Sequence, residues 1–228
     1  MALDLSPIWI SLETSVTATA ITFVLGVAAA IWRANRRGAG PALLDGIFLL
    51  PLVLPPTVVG FLLLLIFGRN GPLGRLLLHF GATVVFTWSA TVIASAVVSF
   101  PLMYQSVRAA LEQVDPHVLQ AARTLGASEW RVFQRVALPL AWPGILAGTI
   151  LAFARALGEF GATLMLAGSI PGRTQTIPIA IYFAVEANDL HQAVAWSLVD
   201  ITISLTMIAG MYYWTHLQSP ERTRWARR

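Results

Sequence analysis

The 228-residue chain is 57% hydrophobic and 11% charged, with a formal net charge of +4 and a mean hydropathy of +0.71. A water-soluble domain of this length cannot hide so much apolar side chain, so the composition excludes a soluble globular protein and implies an integral membrane one. There is no cysteine, which excludes disulfides, thiolate metal sites and thiol catalysis, and all 15 basic residues are arginine; basic loops held against an anionic membrane face explain the charge without nucleic acid.

A hydrocarbon core of about 30 Å requires roughly 20 apolar residues per helix, and the chain offers five such stretches. The expected spans are about 11–32, 44–68, 82–105, 140–166 and 192–215, in a single all-α transmembrane domain covering 1–228. Trp9 and Trp32 flank the first span as interfacial anchors, and the opening MALDLSP lacks the arginine of a cleavable signal peptide. Pro51, Pro55 and Pro56 interrupt the second, freeing backbone carbonyls that must face protein or a watery cavity; this predicts either a lining of a pathway or a kinked packing helix. The third carries no charge. Arg155 and Glu159 lie in the fourth and Asp200 in the fifth, while 177–186 is too short to cross and reads as an interfacial or re-entrant helix on the outer side.

Arginines orient the chain, because basic loops stay in the cytoplasm. Eleven of them follow spans one, three and five (Arg33, Arg36, Arg37; Arg108, Arg123, Arg131, Arg135; Arg222, Arg224, Arg227, Arg228), against Arg69, Arg75 and Arg173 on the other face. The N-terminus is therefore expected outside and the C-terminus in the cytoplasm, with 106–139 a cytoplasmic loop.

That loop has explicit helix punctuation. Asp115 caps, Pro116 suits the first helical position and Gly126 a left-handed stop, so 116–125 is a helix of two to three turns. Ser128 caps a second short helix with Glu129 in its first turn, Pro139 ends that piece, and Pro143 with Gly144 resets the chain before span four. Val118, Leu119, Ala122 and Leu125 share one face, which must dock on something because two turns are barely stable alone. Pattern leaves two options open: the chain's own membrane domain and headgroups, or a soluble partner.

Gln120-Ala121-Ala122, three residues, Gly126, nine residues and Val136-Ala137-Leu138-Pro139 resemble the EAA loop, E-A-A-x3-G-x9-I-x-L-P, of ABC importer permeases. Gln120 replaces the glutamate, so the salt bridge that a Glu would offer an ATPase is missing, and Val136 replaces isoleucine. The strings LPLVLPPTVVGFLLLLIFGRNGPLG (50–74), AARTLGASEWRVF (121–133) and GTILAFARALGEFGATLMLAGSIPGRTQTIP (148–178) resemble the molybdate-type permeases and, more loosely, the sulfate permeases. The resemblance implies a type I, MetI-like importer fold in the cell inner membrane and a homodimer served by two ATP-binding cassette subunits and an extracytoplasmic molybdate-binding protein. Tungstate or sulfate and thiosulfate are the alternative cargoes. It makes Asp115, Gln120, Ala121, Ala122, Arg123, Gly126, Trp130, Leu138 and Pro139 the ATPase-coupling residues.

For the route, Pro55, Pro56, Arg155, Glu159, Phe160, Gly161 and Thr163 are the candidates. Arg155 and Glu159 stand one helical turn apart, in the weaker order for a helical ion pair; they either bias a passing oxyanion or form a structural pair. Gly158 and Gly161 permit close helix approach, for a gate or for plain packing. Asp200 lacks a second acid or histidine at helical spacing, so it reads as an acid hydrogen-bonded by neighbours rather than a proton relay. His79, His117, His191 and His216 show no metal spacing, no catalytic cluster appears and no cofactor is expected. A secondary transporter would need inverted repeats and a carboxylate relay.

Overall fold

The computed structural model describes residues 4–34 and 39–217. Arg36, Arg37, Arg222, Arg224, Arg227 and Arg228, which weigh in the orientation argument, lie outside them. Among the described residues every regular element is a helix and none is a strand. In chain order they form α1 (Ser6–Ala34), α2 (Ala39–Val53), α3 (Pro56–Phe67), α4 (Pro72–His79), α5 (Trp88–Glu112), α6 (Pro116–Thr124), α7 (Glu129–Val132), a π-helical turn (Phe133–Ala137), α8 (Leu138–Leu157), α9 (Gly161–Ala167), α10 (Ile177–Glu186) and α11 (Leu190–Leu217). Among the described residues four stretches are long and apolar enough to cross a membrane, Ser6–Arg33, Trp88–Glu112, Glu129–Leu157 and Leu190–Gly210. A fifth crossing is available if the bent pair Ala42–Val53 and Pro56–Phe67 counts as one.

The chain divides into two compact units, Met1–Ile179 and Ala180–Arg228. In the first, α5 is the central helix, packing on α1, α2, α8 and α9. One end of α5 supplies Met103, Tyr104 and Val107 to a core with Ala141, Ile145 and Ala152 of α8 and Ala30 of α1. The other end supplies Ala90, Ala94 and Val98 to a separate core with Val59 and Leu63 of α3 and Ala162 and Leu166 of α9. In lipid, helices gain little by hiding apolar surface from one another, so contact depends on close approach and satisfied polar groups. A Cβ at Gly148 would stand 2.5 Å from Ser106 Cβ, which shows how closely α8 lies on α5. Along the α1–α5 seam Thr14 and Thr91 share a 2.9 Å hydrogen bond, and Ser15 and Thr19 donate to carbonyls one turn back. In the second unit α11 exposes Leu198, Ile201, Leu205 and Ile208 along one stripe, as a lipid-facing helix does.

Three sequence expectations need correction. Pro51 does not interrupt span two: it sits inside α2, and the chain turns at Leu54–Pro55, where α2 and α3 meet at 114°. Two consecutive prolines withhold two N–H donors, and the first also denies Leu54 the α conformation, so the helix cannot continue there. Pro139 does not end the loop's second helix either, and Pro143 and Gly144 do not reset the chain, since both lie inside α8. The turn before Pro139 widens into a π-helix in which the Leu138 N–H donates to the Phe133 carbonyl, and α7, the π turn and α8 run on as one rod, Glu129–Leu157. The wider turn makes room for the Pro139 ring, which would otherwise collide with the carbonyl of Arg135. Span four is not continuous: α8 stops at Leu157, and α9 begins anew at Gly161.

Candidate functional site

The first short helix between α5 and α8 begins and ends where its punctuation puts it. The Asp115 carboxylate accepts the His117 N–H at 2.8 Å, Pro116 opens α6, and Gly126 adopts φ +81° just beyond its end. Ser128 occupies the cap position of α7, but its hydroxyl makes no capping hydrogen bond. Arg123 instead ties the two short helices, its Nε and Nη2 donating to Glu129 at 2.7 and 3.0 Å. That contact holds the exposed Glu129 carboxyl below the usual carboxylate range and raises Arg123.

The apolar face of α6 is split between two directions. Leu119 packs on the α1–α5–α8 core and Ala122 is half-buried, whereas Val118 is exposed and Leu125 is 88% exposed. Trp130, 65% exposed, stacks on Phe133 with ring centroids 6.0 Å apart. Gln120, Ala121 and Pro139 are also exposed, and Leu138 packs under the segment against the core. The result is a supported platform whose outer surface presents two large apolar side chains and Gln120.

A second constellation forms where α3 and α9 cross. A Cβ on Gly60 would lie 2.7 Å from Ala162 Cα, and one on Gly161 would lie 3.1 Å from Pro56 Cβ, so the two backbones are nearly in contact. Pro55 caps α3 with no side-chain hydrogen bond and Pro56 opens it. Gly158, expected to aid close approach, only ends α8; the glycine of α3 fills that role with Gly161.

Arg155 and Glu159 bracket the break between α8 and α9. Arg155 Nη1 lies 2.8 Å from Glu159 Oε2, and Glu159 Oε1 accepts the Ala162 N–H at 2.7 Å. Glu159 is 2% exposed, the Arg155 side chain 29%. The unfavourable residue order within a helix does not apply, since the helix has ended before Glu159. The carboxylate does two jobs at once: it neutralises Arg155 and caps α9. Phe160 is the N-cap residue of α9, and Thr163 is fully buried with its hydroxyl unpaired in the protein. Asp200 departs from expectation, its Oδ1 having no hydrogen-bond partner. No group of three or more histidine or acidic side chains that could hold a metal occurs among the described residues.

A third cluster was not foreseen. Both carboxylate oxygens of Asp45 in α2 accept from Arg33 Nε (Oδ1 at 3.1 Å, Oδ2 at 2.9 Å), Oδ2 also accepts from Arg108 Nη1 at 2.9 Å and Oδ1 from the Tyr104 hydroxyl; Arg108 Nε donates to Glu112 Oε1 at 2.8 Å. An acid at the edge of span two was the only signal in the sequence, and its partners lie 12, 59 and 63 residues away.

Comparison with known proteins agrees with this architecture. The family model of the binding-protein-dependent transport system inner membrane component matches residues 22–216. The molybdenum transport system permease protein ModB of Escherichia coli (strain K12) is 49% identical over 201 residues, 88% of this chain and 87% of that one. ModB of Haemophilus influenzae is 44% identical over 208 residues, 91% and 90% of the two chains. A solved structure of the MetNI methionine ABC transporter in inward-facing conformations matches with a TM-score of 0.72 at 15% identity, over 94% of this chain and 95% of that one, a likeness of fold. This chain belongs to the family of binding-protein-dependent transport system inner membrane components.

Proposed function

We propose that this family member is the membrane-spanning subunit of an ABC importer for molybdate, acting as a homodimer with two copies of a separate ATPase subunit and an extracytoplasmic molybdate-binding protein. The observation that carries the reading is the unbroken rod Glu129–Leu157. Its first turn presents Trp130, its last carries Arg155, and the chain then passes directly through Glu159 into α9, which lies on α3. At 1.5 Å per residue the rod is about 40 Å long, enough to carry a displacement from one membrane face to the far side of the bilayer core.

Force must be supplied by another polypeptide, because a chain without lysine has no G-x-x-x-x-G-K-[ST] loop to cradle ATP phosphates. The arginine distribution supports a cytoplasmic platform, with the N-terminus outside and the C-terminus inside the cell inner membrane. There, Asp115, Arg123 and Gly126 set the shape of the platform, Leu138 and Pro139 join it to the rod, and Gln120, Ala121, Ala122 and Trp130 with Leu125 meet the ATPase. ATP draws the paired platforms together, the rods tilt, and the α3–α9 crossing at Pro55, Pro56, Gly161 and Thr163 opens outward to a docked, loaded binding protein. Hydrolysis then resets it. ATP and cargo bias this equilibrium only through unequal affinity for its two states, so the platform grips the ATPase differently in each.

At the crossing, Arg155 supplies positive potential to a passing dianion. Glu159 keeps that potential from becoming a trap, since conduction needs binding weak enough to release. Molybdate is favoured over sulfate and tungstate because relatives 49% and 44% identical over 88% and 91% of this chain are named for molybdenum transport. The test is labelled molybdate uptake by the complex in proteoliposomes, with sulfate and tungstate as competitors. Uptake is expected to need ATP, the ATPase and the binding protein and to resist excess sulfate; uptake by the purified chain alone overturns the reading.

A further inference from the structure

We propose that Asp45 is a transmission pin: it makes α2, and through α2 the gate helix α3, follow α5 when the coupling platform moves. The proposal rests on the import reading above and adds to it a positioning residue remote from both the platform and the crossing.

The geometry converges on one carboxylate. Asp45, 13% exposed, receives donors from two helices, Arg33 at the end of α1 and Tyr104 and Arg108 on the last turns of α5. Charge-assisted hydrogen bonds of this kind are shorter and stronger than neutral ones, and a half-buried site loses less of that strength to water than a surface pair does. One turn along α2, on the same face, Phe48 packs edge-on against Tyr104 and Phe100, at 5.2 and 5.4 Å between centroids, while Phe100 and Tyr104 stack on each other at 6.1 Å. The aromatic group holds the Tyr104 ring in place and screens one side of the ion cluster from solvent.

Connectivity turns this cluster into a linkage. Four residues after Arg108 comes Glu112, which Arg108 also binds, and three residues later Asp115 starts the platform helix α6. Ten residues after Asp45 comes Pro55, the cap of α3, whose Gly60 meets Ala162 of α9. Platform and gate are therefore joined by a second route besides the Glu129–Leu157 rod, and Asp45 is the point where that route passes from one helix to another. Among the described residues of this unit, the other side of α2 has no comparable fastening: Leu43, Ile47, Leu50 and Val53 are 72, 55, 48 and 79% exposed, an apolar stripe suited to lipid. A helix gripped along one face follows its partner only as firmly as that face is fastened.

The experiment is transport stoichiometry in the full complex. Wild type, Asp45→Asn, Asp45→Glu and Tyr104→Phe are reconstituted with ATPase and binding protein, and labelled molybdate uptake and ATP hydrolysis are measured on the same vesicles. Asp45→Asn is expected to hydrolyse ATP when the loaded binding protein is present yet to move about tenfold less anion per ATP, the upper range for a residue that couples distant sites. Asp45→Glu, which keeps the charge, should recover most of the loss, and Tyr104→Phe, which removes one donor and keeps the ring, should fall between. A wild-type ratio in Asp45→Asn, or uptake and hydrolysis falling together at an unchanged ratio, overturns the pin. Should Asp45→Asn not assemble, Tyr104→Phe decides in the same way. Wild-type complex that hydrolyses ATP without moving anion sinks the import reading itself, whereas normal wild-type import with unaltered variant ratios sinks the pin alone.

Discussion

Replacing Gly60 by alanine tests the α3–α9 crossing most directly. The added methyl would lie 2.7 Å from Ala162 Cα, 2.8 Å from Met165 Cβ and 3.0 Å from the Ala162 carbonyl oxygen, two of the three being backbone atoms that no rotamer change can move. Ordinary contact between carbon atoms begins about 3.5 Å apart, so the helices must separate by roughly 0.8 Å. Ala162 cannot retreat freely, because its N–H is held by Glu159 at 2.7 Å, and Glu159 in turn holds Arg155. Overpacking of this sort costs about 1–3 kcal/mol, which corresponds to a change of about 5- to 150-fold in the population of the close-packed crossing. The readout is passive efflux of labelled oxyanion from proteoliposomes loaded with it, without ATP. Gly60→Ala is expected to leak at least about fivefold faster than wild type, and Gly60→Leu faster still. Wild-type leak and uptake rates in both variants would refute the view that this crossing seals the route.

Other outcomes follow from the same geometry. Arg155→Gln strands a carboxylate that is 2% exposed, a change worth about 3–5 kcal/mol, so thermal stability should drop and uptake should be lost; Glu159→Gln, which still accepts from Ala162 and leaves the wetter partner unpaired, should be milder. Unchanged oxyanion flux in Arg155→Gln rules out its part in the route. Trp130→Ala should leave the melting temperature of the purified chain within about 1 °C, since the side chain is 65% exposed. Its affinity for the ATPase subunit should fall by about 2 kcal/mol, nearly 30-fold, measured by titration in detergent. The Arg123–Glu129 tie has a defined pH window: Glu129 is lowered from 4.5 in the folded chain, so its support is complete above that value and is lost as pH falls through the lower folded one. Amide exchange across 125–128 should therefore hold the same protection, corrected for intrinsic rates, from pH 8 to pH 5 and lose protection only below about 4.5; a loss near pH 6 would contradict the assignment.

Much of the platform was legible because its determinants are local. Asp115, Pro116 and Gly126 act on backbone groups within a few residues, and all three stand where helix-end chemistry puts them. Ser128 was only half legible: the position is right, but the capping hydroxyl is superseded by Arg123, whose reach to Glu129 spans six residues and two helices. The prolines were harder to read. Proline removes the same donor wherever it occurs, yet Pro51 is absorbed in α2, Pro139 is accommodated by a π turn, and the Pro55–Pro56 pair turns the chain by 114°. The outcome depends on whether neighbouring helices and an adjustable turn can take up the unpaired carbonyl.

By itself the sequence determined that the chain lives in a bilayer, which stretches are apolar enough to cross it, which segments carry arginine and where the first short helix of the interrupting loop starts and stops. Each of these follows from hydropathy, charge or cap chemistry summed over a short window. Tertiary structure alone decided that span four breaks between Leu157 and Gly161, that Gly60 rather than Gly158 lets α3 and α9 meet, and that Asp45 gathers partners from α1 and α5. Those arrangements arise between helices whose residues are up to about a hundred positions apart, and periodicity within a helix says which side is apolar without saying which helix will lie against it.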